Sequence, residues 1–312
     1  MAVVYDVHTH VGLDQGFFLR GWWPYAATAQ NLLELMDASG IDRAVCFPFT
    51  LPSAFDPYAF ASSGQIRLLS QRVPFDRENE LLGMEIERLD KNQRLLQFAM
   101  FDPARCVKEQ VRLIEPLIGR IKGLKAQTTV IQSNLRTLLD EARPIMELAQ
   151  RNDLPVLFHT AVAPSDAWAQ VKDCLDVARA YPGVRFNLSH SLRFHGALLR
   201  EAAKLPNVWV DCSAHLVHCQ LARESAAAVA PVADRLEADY TQPARVLATI
   251  HEMLGGRCLW GSDNPFMSWC ADVIRVIYSY ADEAAVLHAL PGDVQRSIAS
   301  DAPEAWLFGG AR

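Results

Sequence analysis

Short runs of apolar and β-branched residues punctuate the chain, and each gives way to a longer stretch with apolar positions three and four apart. The runs are Val3 to His8, Arg43 to Pro48, Leu95 to Met100, Ile121 to Ala126, Pro155 to His159, Arg185 to His190, Asn207 to Cys212 and Arg257 to Asp263. Their length is that of strands, and near-continuous hydrophobicity is what a strand buried on both faces requires. The stretches between them, among them 29–38, 78–91, 135–152, 167–181, 196–205 and 243–254, carry the spacing of amphipathic helices. Turn residues separate the two kinds of segment: Ser39 and Gly40, Asn152 and Asp153, Pro182 and Gly183, Pro206 and Asn207, and Gly255 and Gly256 each stand at the entry to an expected strand. Strand and helix in strict alternation predict an α/β fold with a parallel sheet. Eight such units point to a closed (β/α)8 TIM barrel, with an open doubly wound sheet as the alternative.

A barrel of this kind accounts for all 312 residues as one domain, 1–312, with two segments longer than a connector needs, 49–79 and 214–240, read as rim insertions. Half the residues are hydrophobic and 21% are charged, the balance of a chain with an ample core. A net charge of -6 leaves no bulk basic field for nucleic acid or anionic lipid, so neither is expected as a partner. The longest uncharged stretch, Gly21 to Leu33, is 13 residues and contains Pro24, too short to span a bilayer. The opening residues lack a basic region followed by an apolar one, so no secretory signal is expected and the reading places the protein in the cytoplasm. Seven scattered cysteines without a C-x-x-C pair read as buried free thiols.

The histidines give this map its chemistry. In the sequence from Tyr5 to His10, His8 and His10 stand two apart at the C-terminal end of the first strand, so period-two alternation turns them to one face. His159 ends the fifth run, His190 the sixth and Asp263 the eighth. In a barrel these ends form the active-site face. Three imidazole nitrogens from His8, His10 and His159 with one carboxylate oxygen from Asp263 suit zinc or another borderline divalent ion, and leave room for a water.

These residues resemble the amidohydrolase superfamily, in particular the branch of metal-dependent TIM-barrel hydrolases and decarboxylases that includes aminocarboxymuconate-semialdehyde decarboxylase. The resemblance is carried by His8-Thr-His10, His159, His190 and Gly261-Ser-Asp-Asn-Pro-Phe266, and extends to the closing segment from Asp301 to Gly309. It implies one metal ion on His8, His10, His159 and Asp263, with His190 as an unligated proton carrier. Asn264 stands where decarboxylases of the branch usually carry a tyrosine, and Ser191-Leu-Arg-Phe194 replaces their glycine-rich turn. Both departures favour hydrolysis of an ester, lactone or amide over non-oxidative decarboxylation, which is the alternative. Asp263 then serves as the base that takes a proton from water.

Binuclear members of the superfamily bridge two ions through a carbamylated strand-four lysine, a position that Lys125 fills here. The branch resembled works with one ion, so Lys125 is expected as a free ammonium that draws in a substrate carboxylate or oxyanion, with Arg193 as a further anion contact. Aromatic residues crowd the segments after the first two strands. Trp22 and Trp23 are expected to line an apolar pocket for a small cyclic or carboxylated substrate. The segment from Phe49 to Phe60 has only Asp56 as a charge, which predicts an exposed apolar patch and a homodimer.

Overall fold

In the computed structural model, which describes residues 2–271 and 275–309, eight parallel strands form a TIM barrel: β1 (Tyr5–His10), β2 (Arg43–Phe47), β3 (Leu95–Met100), β4 (Gly123–Ala126), β5 (Val156–Phe158), β6 (Phe186–Leu188), β7 (Val208–Asp211) and β8 (Cys258–Leu259). Each pairs with the next in chain order. The seam between β8 and β1 closes through Val7 N–H to Trp260 O at 3.1 Å, Asp263 N–H to His8 O at 2.8 Å and His10 N–H to Asn264 O at 2.6 Å. An open doubly wound sheet is thereby excluded.

Alternation sorts the strand residues into two cores. Val45, Phe47, Leu96, Phe98, Leu157, Trp209 and Leu259 belong to a cluster inside the barrel, whereas Ala44, Cys46, Leu95, Leu124, Val156, Phe186 and Val208 pack in the layer shared with the helices. Strict alternation would set Val7, an interior residue, opposite His8. The pairing of β1 with β2 shifts register between Asp6 and Thr9, and such an irregularity re-aims side chains, so that Tyr5 and Val7 fill the interior while His8 and His10 face the mouth.

The helices follow local rules. Ala29–Ser39 begins where the Thr28 hydroxyl accepts the Asn31 N–H, ends at Gly40 in the left-handed region, and buries Ala29, Leu32 and Met36 along one stripe; the cap contributes about 1 kcal/mol. The expected helix at 135–152 divides into a 3-10 turn, Leu135–Leu139, and a helix, Arg143–Arg151, because Pro144 fits only a first turn. The 49–79 segment contains the helix Pro57–Ser63, and the 214–240 segment opens with the helix His215–Arg223. The aromatic residues of the former face inward: Phe49, Phe55 and Phe60 are buried, and of the large hydrophobics from Phe49 to Phe60 only Tyr58 is exposed. From Phe49 to Phe60 the chain thus turns most of its large apolar side chains into the core, leaving Tyr58 exposed. Among the described residues no helix is long and apolar enough to cross a membrane.

Candidate active site

At the C-terminal mouth of the barrel His8, His10 and Asp263 converge, each offering a ligand atom within 4.8 Å of the others, and all three are buried. One oxygen of Asp263 lies 3.3 Å from His8 Nε2 and 3.5 Å from His10 Nε2. Backbone geometry makes this approach. Asp263 adopts φ of 60°, a conformation that Asp tolerates better than most residues, and its N–H to His8 O bond ties it to β1. Asp6 completes the clamp, since its Oδ1 accepts N–H groups from both His8, at 3.1 Å, and Ser262, at 3.0 Å. Gly261 lets the strands approach: a Cβ there would sit 2.8 Å from the His8 Cβ.

Both imidazoles are held by their other nitrogens. His8 Nδ1 stands 3.0 Å from Asp211 Oδ2, and His10 Nδ1 stands 3.0 Å from Pro48 O. These partners only accept, so each Nδ1 carries the hydrogen and each Nε2 keeps a bare lone pair facing Asp263. Two imidazole nitrogens and a carboxylate oxygen, buried and aimed at one another, form a donor set suited to a divalent ion. Burial, partly offset by the hydrogen bond and charge of Asp263, lowers the His10 pKa to about 4, which keeps that donor unprotonated at neutral pH.

His159, expected as a fourth ligand, lies outside this group. Its Nδ1 is 3.1 Å from His190 Nε2, and its Nε2 is 3.0 Å from Arg193. Lys125 lies beneath the group with its Nζ 3.4 Å from His8 Nε2 and 4.8 Å from the Phe47 ring centroid. It is fully buried, and burial lowers its pKa to about 7. Lys125 is not among the residues lining the adjoining cavity, nor are Trp22 and Trp23. Trp22 instead packs against Phe17 and Phe60 beneath the Arg20 guanidinium, and Trp23 is half exposed.

The cavity beside the group has a volume of about 250 Å³. Its aromatic wall comes from Phe17, Phe266 and Trp269, and its polar wall from Gln127, His159, His190, Arg193 and His218. Arg193 enters through an unusual turn, in which His190 to Phe194 all have φ between 47° and 61°. Left-handed backbone costs a non-glycine residue about 1–2 kcal/mol, and the 214–240 segment holds it in place. Ala230 N–H donates to Arg193 O at 2.9 Å, and Leu236 N–H donates to Phe194 O at 2.8 Å. The Arg193 side chain donates to Thr160 O, His159 and His218 and, among the described residues, to no carboxylate. Burial lowers its pKa only to about 10, so it remains a cation, and burial followed by this charge holds His159, His190 and His218 neutral. A guanidinium without a counter-ion in a cavity is a site for an anion.

Asp211 and Ser213 escaped the sequence reading. Asp211 is an acid ending an apolar strand, the same signal that singled out His159 and His190. Asn187 Nδ2, 2.8 Å from Asp211 Oδ2, adds to its partners. Burial opposes its ionisation, but His8 and the other hydrogen bonds prevail and hold its pKa at about 2.

A family model described as amidohydrolase matches residues 5–309. The chain belongs to the amidohydrolase superfamily, a class of TIM-barrel enzymes. Among similar solved structures is an amidohydrolase from Burkholderia multivorans with bound zinc, at 16% identity and a TM-score of 0.62, with 98% of this chain and 99% of that one covered. A 2,6-dihydroxybenzoate decarboxylase from Rhizobium has 14% identity and a TM-score of 0.61 over 98% and 99%. A probable 2-pyrone-4,6-dicarboxylic acid hydrolase from Acinetobacter baumannii, with citric acid bound, has 16% identity and a TM-score of 0.58 over 97% and 98%. No curated protein sequence matches the chain.

Proposed function

We propose that the protein is a metal-dependent hydrolase that cleaves an ester, lactone or amide bond of a small carboxylated substrate. The observation that carries this reading is the placing of the Asp263 carboxylate against two bare imidazole nitrogens in the same cavity as Arg193, a cation without a carboxylate partner. His8, His10 and Asp263 would hold one zinc or similar divalent ion, with His159 as a fourth ligand once released from His190 and Arg193. Such an ion supplies Lewis acidity toward a carbonyl and acidifies water.

The chain's own residues supply the rest. Arg193 binds the substrate carboxylate and fixes its orientation. Phe17, Phe266 and Trp269 exclude water around the reacting bond. The second oxygen of Asp263 accepts a proton from the attacking water, and His190, whose Nδ1 lies 3.9 Å from that oxygen, moves protons on the side toward His159. Lys125, expected as an ammonium meeting the substrate, instead lies under His8 with its pKa lowered by burial to about 7, and would contribute at most a partial positive charge there.

Non-oxidative decarboxylation is the second reading, favoured by the largely apolar cavity wall, since loss of carbon dioxide is assisted by desolvation of a carboxylate. Proton release and carbon dioxide release, followed together on zinc-loaded protein with a panel of carboxylated lactones, esters and aromatic acids, separate the two. Chelator-sensitive proton release without carbon dioxide supports hydrolysis. Carbon dioxide from an aromatic acid, with every lactone and ester untouched, assigns the lyase.

A further inference from the structure

Five donors converge on the buried Asp211 carboxylate. Its Oδ2 accepts from Asn187 Nδ2 at 2.8 Å and from His8 Nδ1 at 3.0 Å; its Oδ1 accepts from Ser213 N at 3.0 Å, His190 N at 3.1 Å and Ser213 Oγ at 2.5 Å. An ionised carboxylate accepts only, so the single hydroxyl hydrogen of Ser213 is spent on Asp211. The 2.9 Å contact between Ser213 Oγ and His190 Nδ1 must then be a bond in which the imidazole donates. Ser213 O, 3.3 Å from the same nitrogen, is a second pure acceptor and requires the same hydrogen.

With its hydrogen on Nδ1, neutral His190 has a bare Nε2, the nitrogen that faces His159. The far end of the chain of bonds agrees independently. Arg193 can only donate, so the His159 Nε2 it meets at 3.0 Å is bare, and His159 Nδ1 carries the hydrogen that points at His190 Nε2, 3.1 Å away. From Arg193 through His159, His190 and Ser213 to Asp211, every hydrogen points the same way.

We infer that Asp211 is a positioning residue that sets two tautomers at once, that of His8 directly and that of His190 through Ser213, so that each presents a bare Nε2. The consequence for His190 is directional: Nε2 takes its hydrogen bond from His159 here, and once His159 leaves it for the metal, the substrate group or water that meets Nε2 is a donor, such as a hydroxyl, an enol or an amide N–H. This rests on the proposed role of His190 as a proton carrier, but it is tested without turnover, so its failure is separable from failure of the hydrolase reading.

The test is a long-range proton–nitrogen correlation spectrum of the zinc-loaded full chain labelled with ¹⁵N-histidine, with His190 assigned by its loss in His190→Gln. The expected result is the Nδ1–H form for His190. In Asp211→Asn the amide can donate to Ser213 and turn its hydroxyl toward His190, so the Nε2–H form appears; zinc affinity falls by about 10–100-fold through His8. In Ser213→Ala the backbone O of residue 213 stays as the longer acceptor at His190 Nδ1, so the Nδ1–H form still dominates and the Nε2–H form becomes detectable as a minor population, while the Asp211–His8 contact keeps zinc affinity within a few-fold of the parent. An Nε2–H tautomer in the unmodified protein overturns the inference. So does an unchanged Nδ1–H form in both variants, each with the unfolding temperature of the parent.

Discussion

In the proposed reaction Asp263 would combine two duties at one side chain, ligand and proton acceptor, and an amide can perform neither well. Asp263→Asn is expected to lower kcat by about 10²–10⁴-fold, measured on the substrate found by the proton-release panel; a kcat near that of the parent removes Asp263 as the base. Arg193 is expected to act mainly in binding. Arg193→Met should raise KM for a carboxylated substrate by about 10–100-fold, the equivalent of a charge-assisted hydrogen bond of about 1.5–3 kcal/mol, with metal content unchanged. An unaltered KM shows that the carboxylate lies elsewhere. His159→Ala is expected to reduce bound metal below one equivalent, and full occupancy excludes it as a ligand. At this scale the sequence was legible where chemistry and strand end coincided, as in His8, His10 and Asp263, which come together at the mouth. It misled where a side chain's direction depends on packing. Trp22 turns toward Phe60 and Arg20, while Phe17, Phe266 and Trp269 form the cavity wall in its place.

The elements were legible in outline because burial on both faces imposes long apolar runs on barrel strands. Arg257 to Asp263 nevertheless shortens to Cys258–Leu259 as a strand, since beyond Trp260 the chain bends to bring Asp263 onto β1. No pattern of hydrophobicity announces the left-handed turn at 190–194, which contains no glycine and is fixed by contacts from residues 230 and 236, far along the chain. The seam between β8 and β1 is where element geometry governs chemistry. Gly261→Ala would drive a methyl group into the Cβ and backbone of His8. It is expected to destabilise the fold by about 1–3 kcal/mol and to weaken metal binding, read by denaturant unfolding and zinc titration. Parental values in both would show that the seam yields without cost.

Across the whole molecule, the buried histidines set the response to acid. Burial lowers the pKa of both His10 and His215 to about 4, and His159, His190 and His218 lie well below 6.5. Unfolded histidines titrate near 6.5, so below that value the unfolded chain binds more protons, and stability falls as pH drops toward 4. Asp6 and Asp14, which burial raises to about 6, and Glu283, which burial raises well above 4.5, act in the opposite sense because the folded state binds their protons first. Five histidines against these carboxyls leave a net loss, with His10 and His215 each contributing about 3 kcal/mol. Urea unfolding near pH 7 and near pH 4.5 should show the lower free energy in acid; equal stability at both means that these histidines are not neutral in the fold. The most direct test of the metal centre itself is elemental analysis of the purified full chain beside its His10→Ala variant. One equivalent of a divalent ion in the parent and well under one in the variant is the predicted result. A metal-free parent, two equivalents, or equal occupancy in both proteins would contradict a single ion held by His8, His10 and Asp263.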